Sequence, residues 1–282
     1  MKPSLSVLGL GLMGRPIARR LLAAGYQVYG WNRSPLPAEL VEGIPLCSAL
    51  AEAAQAKICL LTLTDTPAVD SVLAQLEPHL GPGQVVMDMG TSNPAHSRAH
   101  AWRLAARGIG WVDAPVSGGP EGAAAGSLAI MAGGTVADFT RVRPFLEMLG
   151  GNVVRVGGPG AGHMAKLINQ LIVGLTIEAV AEALTLAEKS GLDPHLLQQA
   201  LQGGFADSKI LQLHGSRMIN RAYVPGGKAR TQLKDLHLAQ ELACSVSVTL
   251  PHLESVIARY QELVAQGDGD LDHSALHKLL WP

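Results

Sequence analysis

Lys166, Asn169 and Gln170 stand at positions i, i+3 and i+4 of an apolar run that contains no proline from Met164 to Ser190. If that run is helical, one face presents an ammonium and two amides to a common point. Such a face suits carbonyl reduction. A developing alkoxide needs a proton donor, and a partly desolvated lysine both supplies the proton and stabilises the charge. Lys166 is therefore the expected general acid/base. The alternative is a lysine snorkelling from a buried helix beside satisfied amides.

Gly9, Gly11 and Gly14 form Gly-Leu-Gly-Leu-Met-Gly, directly after a strand pattern and before a helical one. Gly9 permits a tight turn, Gly11 removes a side chain where a pyrophosphate would approach, and Gly14 lets helix and strand pack closely. Leu12 and Met13 complete the loop at a helix start, whose amides face an anion. A glycine-rich turn of another α/β protein is the competing reading. The second strand of a dinucleotide fold ordinarily ends in an acidic residue that accepts hydrogen bonds from the ribose hydroxyls. Here it ends Trp31-Asn32-Arg33-Ser34. Asn32 carries no charge and Arg33 is a donor fork suited to phosphate, so NADP is expected over NAD, with NAD still possible. A solvated loop charge is the alternative for Arg33.

These groups need elements to hold them. Leu5–Gly9, Gln27–Trp31, Lys57–Leu63, Gln84–Met89, Gly110–Asp113, Leu128–Ala132 and Asn152–Val156 read as strands, with helical stretches such as Met13–Ala24 and Ala95–Arg107 between them. That alternation is expected of βαβ units and a mainly parallel sheet. After Gly157–Gly162 the strand signals almost vanish. Met164–Ser190, Pro194–Gln202, Lys209–Asn220, Leu233–Ser245, Leu250–Gln266 and Ser274–Leu280 all read as helical. The expected fold is α/β, with a Rossmann-type dinucleotide-binding domain over residues 1–162. An all-helical domain over 163–282 follows, joined through one long interdomain helix. That helix is apolar on almost every face and must be buried, and the five shorter helical segments offer little cover. A homodimer or homotetramer is expected.

Composition narrows the partners. With 282 residues, 48% hydrophobic and 16% charged, the chain can build a sizeable core. A net charge of −1 leaves no basic excess for a nucleic acid backbone, and 4% aromatic residues make a poor base-stacking platform. The apolar run after Leu167 is interrupted by Asn169, Gln170 and Gly174 and followed by Glu178 and Glu182, so no membrane span is expected. Leu5–Leu12 has only a weak basic lead and no cleavage site, and makes a poor secretory signal. Three widely spaced cysteines, Cys47, Cys59 and Cys244, suit a reducing cytoplasm. His96 and His100 are i, i+4 but lack a third ligand in sequence, so no metal is expected.

Three further segments complete a pattern: Asp113-Ala-Pro-Val-Ser-Gly-Gly119, Gly160-Ala-Gly-His-Met-Ala-Lys-Leu-Ile-Asn-Gln170 and Lys234-Asp-Leu-His-Leu-Ala239. Together with the glycine loop and Asp268-Gly-Asp-Leu-Asp-His-Ser-Ala-Leu276, they resemble the β-hydroxyacid dehydrogenase family over nearly the whole chain. The resemblance implies an NAD(P)-dependent oxidoreductase acting on a small hydroxy- or oxo-acid. The expected reaction is reversible reduction of a short 2-hydroxy-3-oxo acid, tartronate semialdehyde to glycerate. Dehydrogenation of 3-hydroxyisobutyrate, L-serine or L-threonate is the alternative, separated only by small pocket residues. A non-catalytic cofactor-binding module competes from another class; Lys166 and Asn169 count against it.

The resemblance also implies roles. It makes Asn169 the group that orients the substrate oxygen, with Gln170 beside it on the substrate side. Ser117, Gly118 and Gly119 would bind the substrate carboxylate, as a nest of two glycine amides and a hydroxyl can; an ordinary turn is the other reading. Leu63, Thr64 and Thr91, at strand ends, would contact the nicotinamide end of the cofactor, although Leu63-Thr64 stands where the family often has Leu-Pro. Lys234 would reach the cofactor and Asp235 the substrate pocket, in a cleft between domains. A solvated helix start is the alternative for this pair.

Overall fold

Short apolar runs with both faces covered make the strands of a parallel sheet. In the computed structural model, which describes residues 2–280, the strands are β1 (Leu5–Leu8), β2 (Val28–Trp31), β3 (Ile58–Leu61), β4 (Val85–Asp88), β5 (Gly110–Asp113), β6 (Val116–Ser117), β7 (Leu128–Gly134) and β8 (Gly150–Gly157). Between them run α1 (Gly14–Ala23), α2 (Ala38–Val41), α3 (Leu50–Ala53), α4 (Thr66–Leu76), α5 (Pro94–Ala105), α6 (Gly119–Ala125) and α7 (Val136–Leu149). Every residue of β1, β3, β4 and β5 is buried.

The sheet order is β2-β1-β3-β4-β5-β7-β6, with β8 against β7. β2 through β5 are parallel, whereas β7 runs antiparallel to β5 and to the two-residue β6. The mainly parallel α/β sheet expected from sequence is thus present, with antiparallel pairing at one end. β6 escaped sequence reading because two residues carry no periodicity. Alternation separates two covered faces: Val7, Leu60 and Met87 pack with Ile17 and Leu21 of α1 and Leu146 of α7. Leu8, Leu61, Val86 and Trp111 pack with Leu73 of α4 and Leu104 of α5. The chain leaves β1 to one side for β2 and returns to the other for β3. That reversal opens a crevice at the carboxyl ends of the strands, the usual ligand position in such sheets.

The remaining elements are helical: α8 (Ala161–Lys189), α9 (Pro194–Leu201), α10 (Ser216–Ile219), α11 (Ala229–Ser245) and α12 (Pro251–Ala265). α8 opens three residues before the expected Met164, since Ala161 and Gly162 are tolerated in a first turn. Lys209–Asn220, read as a single helix, contains a π-helical turn at Leu211–Gly215, and the terminal His273–Leu280 is 3₁₀. The chain divides into two compact units between Lys166 and Leu167, inside α8. The second unit centres on Leu167, Ile177, Ala181 and Leu184 of α8, with Leu236 of α11 and Leu253, Val256 and Tyr260 of α12. α8 is therefore a core helix of the second unit, and in the single chain Ile168, Ile172 and Leu186 remain 54%, 60% and 69% exposed.

Candidate active site

At the end of β1 the three glycines have separable causes. Gly9 has φ of 101°, and a Cβ there would lie 2.6 Å from the Thr62 carbonyl oxygen. A Cβ on Gly14 would collide with the Gly9 carbonyl oxygen, so helix α1 can start this close to the strand only without one. Gly11 differs: no atom of the protein lies within 4 Å of where its Cβ would be. The fold does not need a glycine there, and the bare Cα leaves open the space that a pyrophosphate would fill. Leu12 is exposed and Met13 precedes α1 without a side-chain cap or an acidic residue in the first turn, which leaves the terminal amides to an anion. The residues present fit a dinucleotide.

Two side chains brace this loop. The Thr62 hydroxyl donates to the Gly9 carbonyl. Asn32 accepts the Leu10 N–H on Oδ1 at 3.0 Å and donates from Nδ2 to the Ser34 carbonyl at 2.7 Å. Its amide therefore ties β2 to the loop. Arg33 and Ser34 are exposed, and among the described residues Arg33 has no hydrogen bond or ion pair. Leu63 packs beneath Gly9, and the Thr64 hydroxyl donates to Asp65, which caps α4 through the Ala68 N–H at 2.9 Å. Thr91 is partly buried just past β4. Gly9, Leu63, Thr64 and Thr91 thus follow three adjacent parallel strands at one edge of the sheet.

The same edge carries acids that sequence reading left without a role. Asp88 and Asp113 end β4 and β5 in register, and both are fully buried. Asp88 accepts the Gly90 N–H and the Ser92 hydroxyl, each at 2.9 Å, and its Oδ2 lies 3.5 Å from His163 Nε2. Asp113 accepts the N–H groups of Gly160 at 2.8 Å and His163 at 3.0 Å, capping the first turn of α8 from across the sheet. Burial pushes the Asp113 carboxyl above its ordinary pKa, while the facing His163 and the two amides pull the other way. A side chain on Gly162 would strike the Asp113 carbonyl, and one on Gly133 would lie 2.6 Å from an Asp113 carboxylate oxygen. The helix therefore begins almost against the sheet. An acidic residue closing each of two apolar strands was the available sequence signal.

One turn after His163, Lys166 is 8% exposed and stands at the end of the first unit. In that unit Ser117 pairs with Ala129 at the edge, and Gly118 and Gly119 both take positive φ, 131° and 67°. Side chains would be strained at both.

The second unit holds the other polar residues. Asn169 Nδ2 donates to Gln170 Oε1 at 2.9 Å, and Gln170 Nε2 donates to Gln232 Oε1 at 3.0 Å and Asp235 Oδ2 at 2.7 Å. Lys234 Nζ pairs with Asp235 Oδ1 at 2.8 Å. The solvated start expected as the alternative for Lys234 and Asp235 does not describe this pair: Asp235 is 2% exposed and sits inside α11.

Elsewhere the structure adds a neighbour that spacing within one helix does not show. His96 and His100 do meet a third ligand-type group, Asp70 of α4, at 3.0 and 2.7 Å. Helix-to-helix packing makes that contact, which spacing within α5 cannot disclose. Arg103 lies 3.3 Å from the other ring nitrogen of His100 and pairs with Glu77. This donor opposes the N–H that a ligating His100 would carry there. The second such group, His214, Asp272 and His273, is likewise occupied by Arg217, 2.8 Å from Asp272.

Both units have matches among known proteins. Residues 4–158 match the NAD binding domain of 6-phosphogluconate dehydrogenase, and residues 160–280 the NAD-binding domain of NADP-dependent 3-hydroxyisobutyrate dehydrogenase. The chain is 40% identical to 2-hydroxy-3-oxopropionate reductase of Escherichia coli, covering 98% of this chain and 96% of that one. It is 30% identical to NAD-dependent L-serine dehydrogenase of Pseudomonas aeruginosa, over 99% and 98%. A crystal structure of 3-hydroxyisobutyrate dehydrogenase from Salmonella typhimurium superposes with a TM-score of 0.90 at 30% identity, covering 99% of this chain and all of that one. With both halves matched in order and the glycine loop shaped for a dinucleotide, the chain belongs to the β-hydroxyacid dehydrogenase family of NAD(P)-dependent oxidoreductases.

Proposed function

We propose that this protein reduces tartronate semialdehyde to glycerate, reversibly and with a preference for NADPH. The observation that carries the reading is Lys166, a nearly buried ammonium one turn beyond a helix start that Asp113 holds to the carboxyl edge of the sheet. The nicotinamide, when bound, supplies the hydride. Lys166 then gives its proton to the aldehyde oxygen as negative charge develops there, and recovers it from the hydroxyl in the reverse direction. Asn169, on the same helix face, orients that oxygen by hydrogen bonding. Ser117, Gly118 and Gly119 take the substrate carboxylate; the positive φ of both glycines, which leaves their backbone bare of side chains, is compatible with a nest of N–H groups.

Gly9, Gly11, Leu12, Met13 and Gly14 receive the pyrophosphate, and Leu63, Thr64, Thr91 and Lys234 are proposed as further cofactor contacts. Arg33 is assigned to the adenosine 2′-phosphate, supported by its exposure and by the neutral Asn32. The 40% identity to a reductase of this substrate favours it over 3-hydroxyisobutyrate and L-serine. The exposed Ile168, Ile172 and Leu186 support a homo-oligomer that covers α8. The three free cysteines support a cytoplasmic location, and a dinucleotide-binding segment of residues 1–162 accords with a first match ending at 158. The test is nicotinamide absorbance with NADPH and tartronate semialdehyde, beside NADP⁺ with 3-hydroxyisobutyrate, L-serine and L-threonate. A kcat/KM for any alternative above that for the semialdehyde pair would reject the substrate assignment, and no turnover at all would favour a binding module.

A further inference from the structure

We propose that Gln170 is a positioning residue that fixes the amide of Asn169, and does not itself touch substrate. This rests on the reading of Lys166 and Asn169 above. The reasoning begins at Asp235, whose ionised carboxylate can only accept hydrogen bonds. Its Oδ1 is paired with Lys234 and its Oδ2 meets Gln170 Nε2 at 2.7 Å. Gln232 is oriented independently: its Nε2 donates to the Gln170 backbone carbonyl at 3.0 Å, so its Oε1 is the atom that faces Gln170 Nε2, also at 3.0 Å.

Two acceptors therefore meet the one Gln170 nitrogen, which has two hydrogens to give. Gln170 Oε1 must point the other way, and there it accepts from Asn169 Nδ2 at 2.9 Å. No amide in this set can turn over without setting two oxygens or two N–H groups against each other. Which atom of Asn169 is left to accept and which to donate is thereby dictated by the charge on Asp235, transmitted through Gln170. Gln170, Gln232 and Asp235 are 8%, 2% and 2% exposed, so water competes little for these bonds. Both hydrogens of the Gln170 amide are thus committed within the protein, to Gln232 and Asp235.

Gln170→Glu separates the possibilities. As a protonated acid, the substituted side chain would still donate toward Asp235 and accept from Asn169. Once ionised it would put two carboxylates at hydrogen-bond distance, a pair that holds a proton above the usual carboxylate range. With tartronate semialdehyde and NADPH, the variant is expected to keep most of the wild-type kcat near pH 6. It should lose at least about tenfold by pH 9, a limb absent from wild type, with KM moving less than kcat. In the Asn169→Ala background, Gln170→Ala is expected to cost under about twofold, against about tenfold alone, because Gln170 acts through Asn169. Losses that multiply, or a KM raised equally at every pH, would mean that Gln170 meets substrate and would overturn the proposal.

A third readout is independent of substrate. The side-chain amide ¹⁵N–¹H signals of Asn169, identified by their loss in Asn169→Ala, should move in Gln170→Ala and in Gln170→Glu at high pH. Unmoved signals refute positioning. Wild-type turnover by Lys166→Ala would instead sink the active-site reading while leaving this measurement to judge Gln170. If Gln170→Ala does not fold, the pH profile of Gln170→Glu decides.

Discussion

Replacing Gly11 by alanine should abolish most dinucleotide binding without harming the fold, whereas the same change at Gly14 should damage the fold itself. The difference follows from what each new methyl meets. At Gly11 it meets no protein atom within 4 Å, and the residue is outside the left-handed region, so alanine fits without strain. Fewer unfolded conformations should then raise stability by about 0.4–1 kcal/mol, a gain of roughly 1–3 °C in Tm for a chain of this size. The same methyl occupies the pyrophosphate's space. Losing one charge-assisted hydrogen bond of about 1.5–3 kcal/mol weakens binding roughly 10- to 150-fold. At Gly14 the methyl would collide with the Gly9 carbonyl oxygen, which is backbone and is held by Thr62. Neither can yield without strain, and a loss of about 3 kcal/mol or more is expected. Thermal unfolding without ligand and NADPH titration by fluorescence measure the two effects separately. Wild-type affinity in Gly11→Ala, or a Tm lowered as far as in Gly14→Ala, would refute the assignment of that space to a ligand.

Lys166→Ala should retain fold and NADPH binding but lose at least about a hundredfold in kcat, checked by steady-state assay; near-normal turnover removes the lysine from the chemistry. Arg33→Ala should weaken NADPH by roughly tenfold, toward the low end for an exposed phosphate contact, and leave NADH unchanged at fixed salt. Light scattering should give at least a dimer, and Ile172→Glu on the exposed face of α8 should shift it toward monomer. Burial and the nearby Arg221 hold His277 down to about 4. A lowered folded value means that stability is whole above pH 6.5 and lost as pH falls toward 4, a term on the order of 3 kcal/mol. His277→Gln should flatten the Tm profile across that window, and an unchanged slope would assign the acid sensitivity elsewhere.

The sheet strands and the long helix were legible because burial on both faces writes continuous apolar runs, as in Ile58–Leu61, and because α8 extends over so many turns. The glycine loop was legible from its setting. What stayed hidden is contact between segments distant in sequence. Asp113 caps a helix 47 residues away, and Asp70 meets His96 and His100 from a different helix. The partners of the Gln170 amide were hidden too, because helix periodicity reveals the face of a side chain but not where its hydrogens go; one of them is Gln232, 62 residues on. The exposed flank of α8 was invisible for the converse reason, since an apolar residue reads the same whether its cover comes from its own chain or from another.

The brace at Asn32 has a consequence for how this protein can change. Asn32 commits its amide to Leu10 and Ser34, while its neighbour Arg33 is engaged with none of the described residues. If Arg33 holds the 2′-phosphate as proposed, shape and selectivity reside in adjacent but separate codons. A substitution at position 33 would then retune the choice between phosphorylated and unphosphorylated cofactor as a single step, leaving the loop intact. A carboxylate at position 32, the familiar route to the unphosphorylated cofactor, would first have to surrender the donor to Ser34 and set two oxygens face to face. Evolution from this starting point is biased toward one of the two residues, and so is any attempt to redirect the enzyme by design.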